Sequence, residues 1–353
     1  VLEIFYLGIT TGTTPTAYDP ASGVSRLQMA AFLSRSVDGV LRRGGRRAAL
    51  DQYWTLNSQN FGTTTLGAGP ELVKSDGEDL WVANSTANTV SRVHASDGRL
   101  LETWTGAVSP FGILPALGRI FVTGQGSPGR LFRIDPSQAA GAATTVASTL
   151  GKSPSGIAFD GTRIWTANNL TTIVGAAVSI ITPAATIPWT VTSVPADGGS
   201  FLGILYDGAN IWATDHSQGT LVKLDSAGAV LSTITVGAEP QHPVFDGTSI
   251  WVPNRVSASV TVVRASTGVV LATLTGNGLN QPIAAAFDGQ RILVTDAGGG
   301  TSPAVSLWKA ADLTTIGTFP MGSPAAGVPT GACSDGVHFW ITLNGTSPAL
   351  ARF

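Results

Sequence analysis

The sequence predicts an all-β chain built as a seven-bladed β-propeller with a short helical N-terminal appendage. Three observations predict it. A hairpin pattern recurs seven times, one aromatic position recurs with it, and helix-period amphipathic segments are almost absent after residue 50.

The hairpin is clearest over residues 154–165. Ile157, Ala158 and Phe159 form a short apolar run, Asp160-Gly161 is a strong two-residue hairpin signal, and a β-prone run resumes around Trp165. A type I′ turn with positive φ at both turn residues is expected there. Aligned on the Asp, the copies fall at Asp76, Ala116, Asp160, Asp207, Asp246, Asp288 and Asp335, spaced 39 to 47 residues apart. Six residues earlier stands Pro70, Pro110, Pro154, Pro240, Pro282 or Pro329, with Phe201 in the fourth copy. Five residues later stands Trp81, Phe121, Trp165, Trp212, Trp251, Leu293 or Trp340. Five of nine tryptophans thus share one position, which reads either as a ligand platform or, more simply, as packing between neighbouring sheets. Third and fourth β-prone runs follow the hairpins. Four short strands per period of about 43 residues is a propeller blade.

Composition agrees. Forty-three glycines and 20 prolines suit many tight turns, and charged residues are only 12% of the chain. No run of 18 apolar residues exists, so no transmembrane segment is expected. A net charge of −2 argues against a general nucleic-acid binder. The single cysteine, Cys333, allows neither an internal disulfide nor a cysteine metal set, and is expected as a small buried residue. No cofactor is expected.

Residues 1–48 stand outside the repeat. An apolar run to Tyr6, a turn at residues 8–12, and Asp19-Pro20 precede Ser25, which can cap a helix with Gln28 at its third position. Leu27, Ala30, Ala31, Phe32 and Leu33 give that helix an apolar face. Residues 1–36 resemble part of an S-layer homology module. A Gly-Ile-rich turn (Gly8, Ile9, Thr10, Thr11, Gly12), an aromatic-x-Pro element (Tyr18, Asp19, Pro20) and a helix led by Ser25-Arg26 appear in the family's order. Ser25 and Gln28 replace the family's usual Thr and Glu, and the module's first half is missing. The resemblance implies an extracellular, cell-surface setting in bacteria, with Arg26 on anionic cell-wall polysaccharide; the alternative is a segment that packs on its own chain or on a neighbouring subunit. The abrupt apolar start reads as a precursor trimmed at its N-terminus or as the later part of a longer protein.

Residues 37–49 carry Arg42, Arg43, Arg46 and Arg47 around Gly44-Gly45. Residues 1–50 hold a charge of +3 and the remainder −5. This stretch reads as a solvated linker or as an electrostatic contact with an anionic polymer or acidic partner. Residues 50–57 then read as a strand without a hairpin partner, while the last repeat is one strand short. Closure of the propeller, residues 50–353, is therefore expected from residues 50–57 pairing with residues 349–353.

No catalytic set stands out. The four histidines, His94, His216, His242 and His338, occupy different positions within the repeat. One local cluster, Glu239-Pro240-Gln241-His242, leads into the fifth inner strand, where loops converge on the channel. Glu71, Glu239 and His242 are the channel-mouth candidates. The corresponding loops of the other blades offer Phe111, Ser155, Phe201, Gln281 and Ala325. The form Pro-x-Gly-Ile-x-x-Asp-Gly-x-x-Ile-Trp resembles propellers of the virginiamycin B lyase type and related NHL- and YVTN-like repeats over residues 60–353. That resemblance implies a fold and, for the lyase, several Glu and His from neighbouring blades around magnesium, which the loops here do not supply. The sequence therefore favours a non-enzymatic surface protein whose propeller is a binding or assembly module, with cell-wall polysaccharide, assembly subunits or its own copies as partners. The alternative is a metal-dependent lyase or hydrolase in the channel.

Overall fold

Every blade is a four-stranded antiparallel sheet whose strands follow in chain order from the axis outwards, the last being completed by a strand from the start of the repeat region. The computed structural model describes residues 62–169, 176–195, 199–300, 303–321 and 327–353. These belong to one unit, Ser58–Phe353. The expected helical segment over residues 1–36, the linker with Arg42, Arg43, Arg46 and Arg47, Arg26, and the expected strand at 50–57 lie outside the described residues.

Blade 1 comprises β2 (Pro70–Ser75), β3 (Asp79–Asn84), β4 (Thr89–His94) and β5 (Leu100–Trp104). Blade 2 comprises β6 (Pro110–Ala116), β7 (Arg119–Gly124), β8 (Gly129–Ile134) and β9 (Thr144–Leu150). The other inner strands are β10 (Pro154–Phe159), β14 (Phe201–Tyr206), β18 (Val244–Phe245), β22 (Pro282–Phe287) and β26 (Val328–Ser334). Neighbouring inner strands touch in a closed ring from β2 round to β26 and back to β2.

The ring closes differently from the sequence expectation. The outer strand of the seventh blade is β1 (Thr63–Thr65), paired with β28 (Ala349–Arg352) in the register Thr63 to Ala351. The position expected for residues 50–57 is thus filled by three threonines. An outer strand faces solvent, here with an exposed, half-buried, exposed pattern, so it needs no apolar signature.

The repeated Asp has two tasks. Its Oδ1 accepts the backbone N–H of the second and third residues beyond it, as at Asp160 with Thr162 (2.8 Å) and Arg163 (2.6 Å). These bonds fold the hairpin, so the two loop residues are the Gly and the residue after it. Only the Gly carries positive φ, 95° at Gly161 and Gly208, and the expected type I′ geometry with Asp inside the turn does not form. The Asp side chain does the work that a second left-handed residue does in that turn.

The other oxygen, Oδ2, accepts the indole N–H five residues on. This bond is 2.7 Å at Asp76–Trp81, Asp160–Trp165, Asp207–Trp212, Asp246–Trp251 and Asp335–Trp340. All five indoles are at most 1% exposed. Each packs against the next blade: Trp165 meets Ile211 and Ala213, and Trp340 meets Val73, Leu80 and Val82. The tryptophan position is therefore packing between blades, and its one polar atom is satisfied inside the same hairpin. Where the Trp is absent the Asp is absent or re-used. Blade 2 has Ala116 with Phe121, and in blade 6 Asp288 Oδ2 receives Arg291 Nε at 2.7 Å beside Leu293.

Near the axis the blades meet backbone to backbone. A Cβ on Gly112, Gly156 or Gly331 would stand 2.2–2.7 Å from a carbonyl oxygen of the next inner strand, and one on Gly203 2.5 Å from the Gln241 carbonyl just before β18. Threonine hydroxyls stitch this seam. Thr214 Oγ1 takes the Gly203 N–H (2.8 Å) and donates to Gln241 O (2.8 Å), and Thr123 links Gly112 to Ser155 in the same way.

Candidate functional site

Blade 5 departs from its sisters at the axis. Its inner strand β18 has two residues, and the segment before it leaves its own sheet at Pro243. Proline cannot donate to a ladder, and Pro253 stands on the facing strand. His242 instead pairs with the next blade, its N–H to Ile283 O (3.0 Å) and its carbonyl accepting from Ala285 N–H (3.2 Å). This places the imidazole at the mouth of the channel, 5.9 Å from the Phe111 ring.

The mouth is a cavity of about 310 Å³. The residue after the repeated proline contributes from several blades, among them Glu71, Phe111, Gln241 and Thr330, and Leu202 stands there in the blade with Phe201. Of the sequence candidates, Glu71 and His242 come together there. Glu239 does not line the cavity: its carboxylate pairs with Arg255 at 3.6 Å, both side chains being exposed. Leu202 and Ile283 line it where the sequence suggested Phe201 and Gln281. Ala325 lies outside the described residues.

Among the lining residues that escaped sequence reasoning, Asn169, His216 and Arg255 form one set. Each stands four residues after the repeated Trp, in the loop leaving the second strand. Those loops open on the same face as the loops leading into the inner strands, so the fixed offset was the available signal.

The polar groups of the mouth are tied to one another. Ser85 Oγ donates to Glu71 Oε1 at 2.8 Å. Burial raises the Glu71 carboxyl above its ordinary range, against the lowering effect of that bond. Gln241 Nε2 lies 3.1 Å from His216 Nδ1 and 3.1 Å from Glu239 O. His242 is held neutral, pushed down to about 3 by burial first and then by the positive charges of Lys74 and His216. Cys333 is buried, and its thiol is pushed up to about 12 by that burial, which makes it a poor nucleophile at neutral pH.

The magnesium site implied by the lyase resemblance does not fit these residues. Magnesium takes hard oxygen ligands in octahedral geometry, and the mouth offers one carboxylate. Among the described residues no three His, Cys, Asp or Glu side chains gather as a ligand set.

No protein-family model matches the chain, and no curated protein sequence matches it. Solved structures do. A catalytically inactive variant of virginiamycin B lyase from Staphylococcus aureus, with quinupristin, is similar at a TM-score of 0.66 and 16% identity, covering 83% of this chain and 99% of that one. Hydrazine synthase from Kuenenia stuttgartiensis is similar at 0.65 and 16%, covering 82% and 98%. The WD40 β-propeller domain of Doa1 is similar at 0.61 and 12%, covering 83% and 97%. At these identities the likeness is one of fold. The same propeller serves two enzymes and a WD40 domain, so it does not decide between them.

Proposed function

We propose that this protein is a non-enzymatic binding or assembly module at a bacterial cell surface. In this reading the N-terminal segment, through Arg26 and the cluster Arg42, Arg43, Arg46 and Arg47, attaches the chain to an anionic wall polymer or to a surface assembly, and the propeller is presented for binding. The observation that carries the non-enzymatic part is the channel mouth. A general acid–base pair needs groups free to exchange a proton near neutral pH. Here one carboxylate is raised by burial but tied to Ser85, one imidazole lies against Gln241, and the other, kept neutral by burial, is a poor proton-exchanging partner for it. Such a mouth suits recognition of a small group better than turnover. The attachment part rests on the S-layer homology resemblance and on the +3 charge of residues 1–50.

The test is a pull-down of residues 1–353 and of residues 62–353 against purified cell-wall fraction, at low and high salt. The 1–353 chain should sediment with the wall at low salt and less so at high salt, because contacts between exposed charges are screened. The shorter chain should stay in solution. Equal sedimentation of both would place the attachment on the propeller and overturn this reading.

A further inference from the structure

We propose that blade 2 carries a binding site for a small organic oxyanion, a carboxylate or phosphate ester of about monosaccharide size, gripped by Arg119 and Arg133. The proposal is independent of the channel mouth and of the N-terminal segment.

Blades 1 and 2 carry different charges at matching positions. In blade 1, Arg92 stands opposite Trp81 on β4. Its Nε pairs with Asp79 at 2.6 Å, its Nη1 approaches Glu102 at 3.4 Å, and its guanidinium lies 5.3 Å over the Trp81 ring. Asp76 completes the acidic surroundings. In blade 2 the matching cation is kept: Arg133 stands opposite Phe121 on β8. Every matching carboxylate is gone. Ala116 takes the place of Asp76, Arg119 that of Asp79, and Thr144, opposite Arg133, that of Glu102. An ion-paired arginine in one blade has become two arginines in the next.

Arg133 is half-buried, and among the described residues no hydrogen bond or ion pair reaches its guanidinium. It lies 6.0 Å over the Trp189 ring, and the Trp189 indole N–H donates to Ala184 O at 2.9 Å. Arg119 pairs with Asp135 at 3.0 Å, and Asp135 is also held by Ser137. Two guanidinium groups stand against the one carboxylate of Asp135, and Arg119 also borders the neighbouring cavity with Asp76, Glu78 and Arg92. Both arginines line one cavity of about 400 Å³ with Leu117, Pro183, Ala184 and Trp189. That volume exceeds what a bare ion needs, and its walls combine the two guanidinium groups with Leu, Phe, Pro, Ala and Trp side chains. Leu117 itself stands where the other hairpins carry Gly, at φ 54° and 56% exposed, a conformation unfavourable for a branched side chain. An arginine fork matches the two oxygens of a carboxylate or phosphate, and the apolar walls suit the carbon body that bears it.

The test is calorimetric titration of the whole chain at low ionic strength with glucuronate, glucose 6-phosphate, inorganic phosphate and glucose. Glucuronate or glucose 6-phosphate should bind saturably, and glucose should not. Arg133→Met should weaken binding about tenfold or more. Lys223→Met, the same register position in blade 4, should leave it unchanged. Thr144→Glu restores the carboxylate that blade 1 carries, so it should abolish binding without loss of folding. This variant keeps the proposal testable if arginine changes disturb the blade. Failure of both organic anions to bind by about 10 mM, or binding indifferent to Arg133→Met and Thr144→Glu, overturns the site. Equally tight binding of inorganic phosphate overturns the assignment of an organic ligand.

Discussion

The bond between each repeated Asp and Trp makes a quantitative prediction at Asp207 and Trp212. The Asp207 carboxylate accepts the N–H of Ala209 (2.8 Å), the N–H of Asn210 (2.6 Å) and the Trp212 indole (2.7 Å). Trp212→Phe removes the indole donor and part of a fully buried ring. It should cost about 2–4 kcal/mol, most of it from a hydrogen bond to a charged acceptor and the rest from lost volume. Asp207→Ala should cost about 3 kcal/mol, since it orphans the buried indole and also frees two turn N–H groups. The double variant reproduces what blade 2 already contains, Ala116 with Phe121, in which no buried polar atom is stranded. The double change should therefore cost about 1.5–2 kcal/mol less than the sum of the singles. Urea unfolding of the four proteins measures this, read from midpoints at constant slope. Additivity within about 0.5 kcal/mol would refute the idea that the two side chains act as one unit.

Other outcomes follow from the same geometry. Gly208→Ala meets no atom within 4 Å and is strained only by its φ of 95°, so it should cost about 1 kcal/mol. Gly203→Ala drives a Cβ to 2.5 Å from Gln241 O and should cost more, about 3 kcal/mol, in the same unfolding assay. A chain starting at residue 62 should keep the melting temperature of the propeller, whereas one starting at residue 67 loses β1, exposes the edge of β28 and should melt several degrees lower. Acid should destabilise the fold through Asp160 and Asp335. Burial opposes their ionisation, but hydrogen bonds outweigh it: from the Arg163 N–H, the Trp165 indole and Thr162 at Asp160, and from His338, the Trp340 indole and the Val337 N–H at Asp335. Both carboxyls are held at about 2. Because these values lie below the unfolded value of about 3.9, the stabilisation is full above about pH 5 and is lost as pH falls towards 2. Asp160→Asn should flatten that acid limb, and an unchanged limb would contradict the assignment.

The blade count was legible because the Asp-to-Trp offset is fixed by a bond within one hairpin, which insertions elsewhere do not disturb. The turn type was not, because the Asp Oδ1 replaces a backbone feature that a dipeptide rule assumes. The closing strand was misplaced for a related reason: Tyr53 and Trp54 look like strand residues, while Thr63, Thr64 and Thr65 carry no apolar face. At the channel mouth, His242 was legible from its place beside the fifth inner strand, and Glu71 from its place directly after the repeated proline of the first blade. His216 and Arg255 were missed because they reach the same face from a different loop of each blade. The charge reversal in blade 2 was invisible until strand register set Arg133 against Thr144.

On the function proposed above, the channel mouth recognises a ligand and holds no catalytic metal. Calorimetric titration of the purified chain with magnesium and with manganese tests it most directly. No saturable heat is expected for either ion, because one buried carboxylate and a neutral imidazole do not make a hard-ion site. Uptake of one equivalent, abolished by Glu71→Gln or His242→Ala, would contradict it and turn the mouth into a metal centre.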